Sequence, residues 1–350
     1  MTLQAVESWI KKNLGTQKIS IKKPLCEEGH ASALQELTPL LMPLFNPELP
    51  QSIKAKETII FCLTGALHRI PIHAIPINGV PLIESYPVTY CQSLTTLYRG
   101  YGAVCNFQRS SPGVESLAIV SSYEKWWMNE AEAEEKLLQE IEGISTSLNA
   151  KTYSGSDLTK EIAQNALSDC AHVLYFGHVD YNPRYPTRSA LLLNEPAYKE
   201  PLLEKPGIER LAVRDLFKIQ LHKPALATII GCGSGQALIS DSDDILGFPS
   251  ALMFAGASAI VSTLWRIDPD DGADFAAAFY HAIQEQQVSW QTDEKSVDQE
   301  SGLKNCVNLA CAMHEALKIL RQRGEKKNAA YHWAAFHLTG FWLFPRLSLK

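Results

Sequence analysis

The sequence predicts an α/β protein built on a mostly parallel mixed sheet with helices on both faces. Two short apolar, partly β-branched runs, residues 171–176 and 225–230, read as strands buried on both faces. Segments of helical periodicity separate the strand runs, and short links between them require right-handed crossovers. At 350 residues, 46% hydrophobic and 20% charged, the chain is long enough for one large α/β domain or two modest ones.

Residues 1–55 read as packing helices, with Val6, Trp9, Ile10 and Leu14 on one face and Leu34, Leu37, Leu40, Leu41 and Leu44 on another. No internal repeat is visible. Strands are expected at 58–64, 87–91 and 116–121, with Pro112-Gly113 marking a boundary near 115. Asn129 followed by Glu132 is a capping box that opens a helix carrying Leu137, Ile141, Ile144 and Leu148. A second helix is expected from about 157 to 168, burying Leu158, Ile162, Ala166 and Leu167. Residues 286–301 are polar and aperiodic and read as a mobile loop between a helix ending near Ile283 and one spanning about 303–320. The organisation expected is therefore an N-terminal helical segment (1–55), a part at 56–115 that extends the sheet or forms a sub-domain, and a main α/β domain at 116–345 with its insertion.

Both buried strands end in chemistry. The run 225–230 is followed by Gly231-Cys232-Gly233-Ser234-Gly235, where three glycines permit a sharp turn and close approach of a ligand to a thiol. The run 171–176 is followed by Gly177-His178. Open α/β sheets place their sites at such strand ends, and a cysteine nucleophile needs a histidine near in space. The two residues are 54 apart with the histidine first, close to the roughly 50 of caspases, although the caspase pentapeptide is absent.

The blocks Leu174–Val179, Ser189-Ala-Leu-Leu-Leu193, Ile230-Gly-Cys-Gly-Ser-Gly235, Gly247-Phe-Pro-Ser-Ala-Leu-Met-Phe-Ala-Gly-Ala257 and Val261-Ser-Thr-Leu-Trp265 together resemble a CHAT domain, the caspase-like module related to separase. Segments 67–75, 82–90 and 331–336 extend the resemblance over about residues 57–345. It implies a caspase-like three-layer sandwich and a Cys/His endopeptidase: Cys232 the nucleophile, His178 the base and acid, and the N–H groups of Cys232 and Val179 the oxyanion donors. Such enzymes carry glycine where this chain has Val179, so if the hole needs positive φ there its donor would be strained or misdirected. Separase-like enzymes also place an aspartate after the Leu-Trp motif to hold a basic P1 side chain. Asp268, Asp270 and Asp271 are the candidates, with Asp268 favoured; the alternative is that they cap a helix starting near Gly272. CHAT domains commonly end longer arrays, which implies gating by an upstream domain or protein partner.

Composition excludes other classes. A net charge of −6 with no basic stripe argues against nucleic acid, no run has membrane-spanning length, and the N-terminus lacks a signal-peptide layout, so a cytoplasmic protein is expected. Eight cysteines without CxxC spacing give neither a zinc site nor a disulfide framework, and no motif calls for a cofactor. His68 and His73 read as structural, and Asp241, Asp243 and Asp244 as a solvated loop, with a substrate loop the alternative. No nucleophile elbow, dinucleotide fingerprint or Walker motif is present. The reading is a cysteine endopeptidase acting on a protein partner; the alternative is a catalytically weak or inactive module serving as an interaction scaffold.

Overall fold

The computed structural model describes residues 3–13, 27–41, 57–110, 117–121, 131–154, 158–194, 209–223, 225–240, 242–289, 303, 306–323 and 329–345. Its strands in chain order are β1 (Ile59–Cys62), β2 (Pro76–Ile77), β3 (Val80–Pro81), β4 (Val88–Cys91), β5 (Leu117–Ser121), β6 (Lys151–Ser154), β7 (His172–Phe176), β8 (Val179–Asp180) and β9 (Ala190–Asn194). There follow β10 (Glu209–Ala212), β11 (Ala225–Ile230), β12 (Ala237–Ile239), β13 (Ile245–Gly247), β14 (Ala257–Thr263), β15 (Cys306–Asn308), β16 (Phe336–Gly340) and β17 (Leu343–Pro345).

Eight of these form one sheet in the order β1-β4-β16-β14-β11-β7-β5-β6. All neighbours pair in parallel except β14 and β16, so a block of five strands runs one way and a block of three the other. The mixed, mostly parallel sheet expected from the sequence is thus observed.

Alternation within β7 and β11 shows why these runs are apolar throughout. Leu174, Phe176, Leu226 and Ile230 enter one core, with the helices Pro269–Ser289 and Leu309–Gln322. Val173, Tyr175, Ala227 and Ile229 enter the other, with Lys160–Asp169 and Phe248–Ala255. A strand covered on both faces has no solvent face on which to place polar residues. The N-terminal helices Leu3–Asn13 and Glu27–Leu41 add Val6, Trp9, Ile10, Leu34, Leu37 and Leu41 to the first core, while Leu14 and Leu44 lie outside the described residues.

Several boundaries differ from expectation. The helix expected from Gly272 to Ile283 runs from Pro269 to Ser289 and so extends into the expected loop, held there by Gln286, which bonds to the Asn308 backbone; residues 290–301 of that loop are outside the described residues. The helix expected at 303–320 begins at Leu309, because Cys306–Asn308 pairs with β17 first and Asn308 then caps the helix by accepting from the Cys311 N–H at 3.0 Å. The helix expected from 157 begins at Lys160, with Thr159 accepting from the Ile162 N–H at 3.2 Å, and Ile162 is only half-buried. The helix expected after Asn129 is Ala131–Ser147, burying Ile141 and Ile144; Asn129 is outside the described residues.

His73, His172 and His337 are buried in this framework. Desolvation pushes His73 and His172 down to about 3, and His337, with help from His73 and His68, well below its ordinary value. His73 Nδ1 lies 2.8 Å from the Tyr90 hydroxyl, and the His337 ring stacks on Tyr90 at 3.8 Å. In the unfolded chain each histidine takes up a proton near pH 6.5, whereas in the folded chain it stays neutral. Stability is therefore full above pH 6.5 and falls as the pH drops below it, by about 1.4 kcal/mol per pH unit per histidine. The thermal midpoint is expected to be flat above pH 7 and to fall steeply from pH 6.5 to 5, and His172→Leu should soften that slope. A midpoint indifferent to pH over this range would contradict the assignment.

Candidate active site

The register of β7 and β11 places His178 and Cys232 just beyond adjacent strand ends. Phe176 and Ile230 are partners across the parallel ladder, and each candidate residue stands two positions beyond its member of that pair. Neighbouring strands lie about 4.8 Å apart, so the two side chains leave adjacent strand ends. The Gly177 N–H donates to the Ile230 carbonyl at 3.0 Å and carries the pairing one residue past the strands.

The turn carrying Cys232 is fastened to the end of β14. Thr263 Oγ1 donates to the Gly231 carbonyl at 2.6 Å and accepts from the Gly233 N–H at 3.0 Å. The Thr263 N–H donates to Ser234 Oγ at 3.0 Å, and that hydroxyl donates to the Ile229 carbonyl at 2.8 Å. Gly235 N–H donates to the Thr263 carbonyl at 2.8 Å, and Gln236 N–H to that of Gly233 at 2.9 Å. Gly233 has φ +70°, a value that favours glycine. Each amide from Gly233 to Gln236 thus donates within the protein, and the Cys232 N–H enters none of these bonds.

Val179 is free of the strain that its side chain threatened. It is a strand residue, and the only non-glycine residues at positive φ among those described are Asn78, Asn149 and Asp243. The Leu192 N–H donates to the His178 carbonyl at 3.0 Å, which makes Val179 and Leu191 a pair that exchanges no hydrogen bonds. The Val179 N–H therefore points away from β9. The valine side chain fills the space over Gly231, where a Cβ would come within 2.6 Å of Val179 Cγ2. The Tyr175 hydroxyl, 2.7 Å from the carbonyls of both His178 and Leu192, fixes the backbone at the histidine.

The three aspartates separate by environment. Asp268 immediately precedes the helix, is exposed, and is close enough to oppose ionisation of Cys232. Asp270 is half-buried in the first turn. Asp271 is buried, with its Oδ2 2.5 Å from His332 Nδ1. Asp268, Asp271 and His332 bring ligand-type atoms within 4.8 Å of one another. The whole segment lies tight on the strand ends: a Cβ on Gly272 would come within 2.7 Å of Ile230 Cγ2 and 3.2 Å of Phe176 Cζ. In the second acidic group, Asp243 is a structural contact rather than a solvated side chain, its Oδ1 accepting from the Gly65 N–H at 2.6 Å and lying 3.6 Å from His68 Nε2. Asp241 is outside the described residues.

Three contributors escaped sequence reasoning. Arg266 acts on both candidate residues, Tyr331 shares its electrostatic surroundings with Cys232 and Asp268, and His332 holds Asp271. Arg266 directly follows the Leu-Trp motif, and Tyr331 and His332 lie in a block that marked the family resemblance, but nothing in their spacing linked them to Cys232. Burial, and then the Arg266 charge, lower His178 to about 4. Burial raises the Cys232 thiol, opposed by Arg266 and reinforced by Asp268, and its Sγ faces the Ile267 carbonyl at 3.7 Å. Burial raises Tyr331 to about 12, with Asp268 acting in the same direction. Both directions favour the uncharged forms, a thiol at Cys232 and an imidazole at His178. An ion pair in which the thiolate is already formed at pH 6 is not what these directions describe.

The profile of the CHAT domain family matches residues 31–341, and the chain belongs to that family. A chain of the Saccharomyces cerevisiae separase–securin complex superposes with a TM-score of 0.53 at 11% identity, covering 91% of this chain and 18% of that one. A structure described as a protease gives 0.50 at 9% identity, covering 97% and 75%. The Arg-specific cysteine proteinase gingipain R gives 0.48 at 12% identity, covering 99% and 76%. At these identities the likeness is one of fold, and the fold is caspase-like. The chain thus spans less than a fifth of the length of the separase-complex chain. No protein of curated function matches the chain. Among the described residues, no helix is long and apolar enough to cross a membrane.

Alkylation tests the resting state. Because burial raises the thiol, the rate of Cys232 modification by iodoacetamide should still be climbing with pH above 8, about tenfold per unit below the thiol's own pKa. A rate that levels off below pH 7 would instead report a preformed thiolate.

Proposed function

We propose that the chain is a cysteine endopeptidase of caspase and separase type. The observation that carries this reading is the equal offset of His178 and Cys232 beyond the Phe176–Ile230 register pair, on a CHAT-family fold. His178 takes the thiol proton as Cys232 Sγ attacks the scissile carbonyl carbon, and the N–H groups of Cys232 and Val179 receive the oxyanion. The imidazolium then protonates the leaving amine, and water releases the acyl group from the sulfur. A histidine lowered to about 4 is a weak base at neutral pH but a strong acid once protonated, which favours expulsion of the amine.

Asp268 is the proposed recognition group for an Arg or Lys P1 side chain, supported by its exposure and its electrostatic reach to Cys232. Asp270 is a secondary contributor, whereas Asp271 is occupied with His332 and supports the segment from beneath. The substrate is a protein, and a partner or upstream domain gates access. The competing reading, a scaffold with weak or no catalysis, draws on the raised thiol of Cys232.

A P1-diverse peptide library separates the two readings. Under the peptidase reading the chain cleaves after Arg or Lys, Cys232→Ala and His178→Ala each lower kcat by about 10³-fold or more, and Asp268→Asn removes the basic preference by about 10²-fold. Silence with and without candidate partner proteins selects the scaffold, and equal turnover of Arg and Met peptides removes Asp268 from the pocket.

A further inference from the structure

The cysteine that the catalytic reading uses is one of seven free thiols among the described residues. Two others face each other. Cys62 ends β1, Cys91 ends β4, and the two are direct partners in the parallel register. Partners across a ladder project to the same face, and neighbouring strands hold their Cα atoms about 4.8 Å apart, inside the range of about 4.4–6.8 Å that a disulfide spans. Cys62 is exposed and Cys91 is buried beside it, so one sulfur is reachable by solvent and the other is protected. Among the described residues, no other two cysteines are register partners.

The pair is separate from the candidate active site. β4 runs parallel to β16, and β16 runs antiparallel to β14. The C-terminal ends of β1 and β4 therefore lie at the opposite end of the sheet from those of β7 and β11.

We propose that Cys62 and Cys91 are a redox-responsive modification site that hydrogen peroxide converts to a disulfide. The Cys62 thiolate attacks one peroxide oxygen, the O–O bond breaks, and hydroxide leaves and is protonated to water, giving Cys62 sulfenic acid. The Cys91 sulfur then attacks the Cys62 sulfur, the S–O bond breaks, and the S–S bond forms as the second water departs with the Cys91 proton. Two thiols lose two electrons to one peroxide, and thiol exchange with a dithiol reductant reverses the change. The product joins the edge strand of the sheet covalently to its neighbour.

The test treats the purified chain with hydrogen peroxide, blocks the remaining thiols, and digests without reductant for mass spectrometry. The expected result is a peptide pair joined through Cys62 and Cys91 that disappears on reduction, together with a thermal midpoint a few degrees above that of the reduced chain. Cys62→Ser and Cys91→Ser should each abolish both. Recovery of Cys62 as sulfinic or sulfonic acid with Cys91 still alkylatable would overturn the proposal, as would a bridge from either residue to any other cysteine.

Discussion

The parallel pairing of β7 with β11 is the constraint on which the placement of His178 and Cys232 rests. It runs in register from His172–Leu226 to Phe176–Ile230 without a bulge, so the distance between the two ladder exits is set by backbone hydrogen bonds rather than by side-chain packing. A histidine and a cysteine placed at equal offsets beyond such a ladder inherit its spacing. The burial of both strands on both faces then makes the spacing rigid, because a register slip would turn Leu174, Phe176, Leu226 and Ile230 out of one core and into the other.

That burial also sets the chemistry. A thiol and an imidazole at the rim of a dry sheet are both pushed toward their neutral forms, and the one cation acting on both, Arg266, favours the thiolate while opposing the imidazolium. Under the cysteine-peptidase reading proposed above, transfer of the proton in concert with attack fits these directions better than a preformed ion pair.

Much of this was legible in the sequence because it depends on local pattern. The two apolar runs, their glycine-flanked ends and the spacing between them carried the strand assignments and the pairing of His178 with Cys232. What was not legible depends on contacts far apart in the chain. Whether Val179 adopts a positive φ depends on its neighbours: none arises there, and Gly231 makes room for the side chain. The three aspartates after Trp265 look alike as sequence. Only the fold gives Asp271 to His332, sixty-one residues later, and leaves Asp268 exposed. The helix Pro269–Ser289 outran its expected end because its last turns are held tertiarily: Gln286 Nε2 donates to the Asn308 carbonyl at 3.0 Å, and the Asn308 N–H to Gln286 Oε1 at 2.7 Å.

The hydroxyl network of Thr263 and Ser234 makes one body of two segments. The turn that carries Cys232 and the stretch from Trp265 to Asp268 are bolted to the same strand end, with Gly233 donating also to the Trp265 carbonyl at 3.0 Å and Gln236 Nε2 to that of Leu264 at 3.2 Å. Any displacement that reshaped one would carry the other with it. Divergence of this module therefore has little freedom in either segment, because neither can be reshaped without the other.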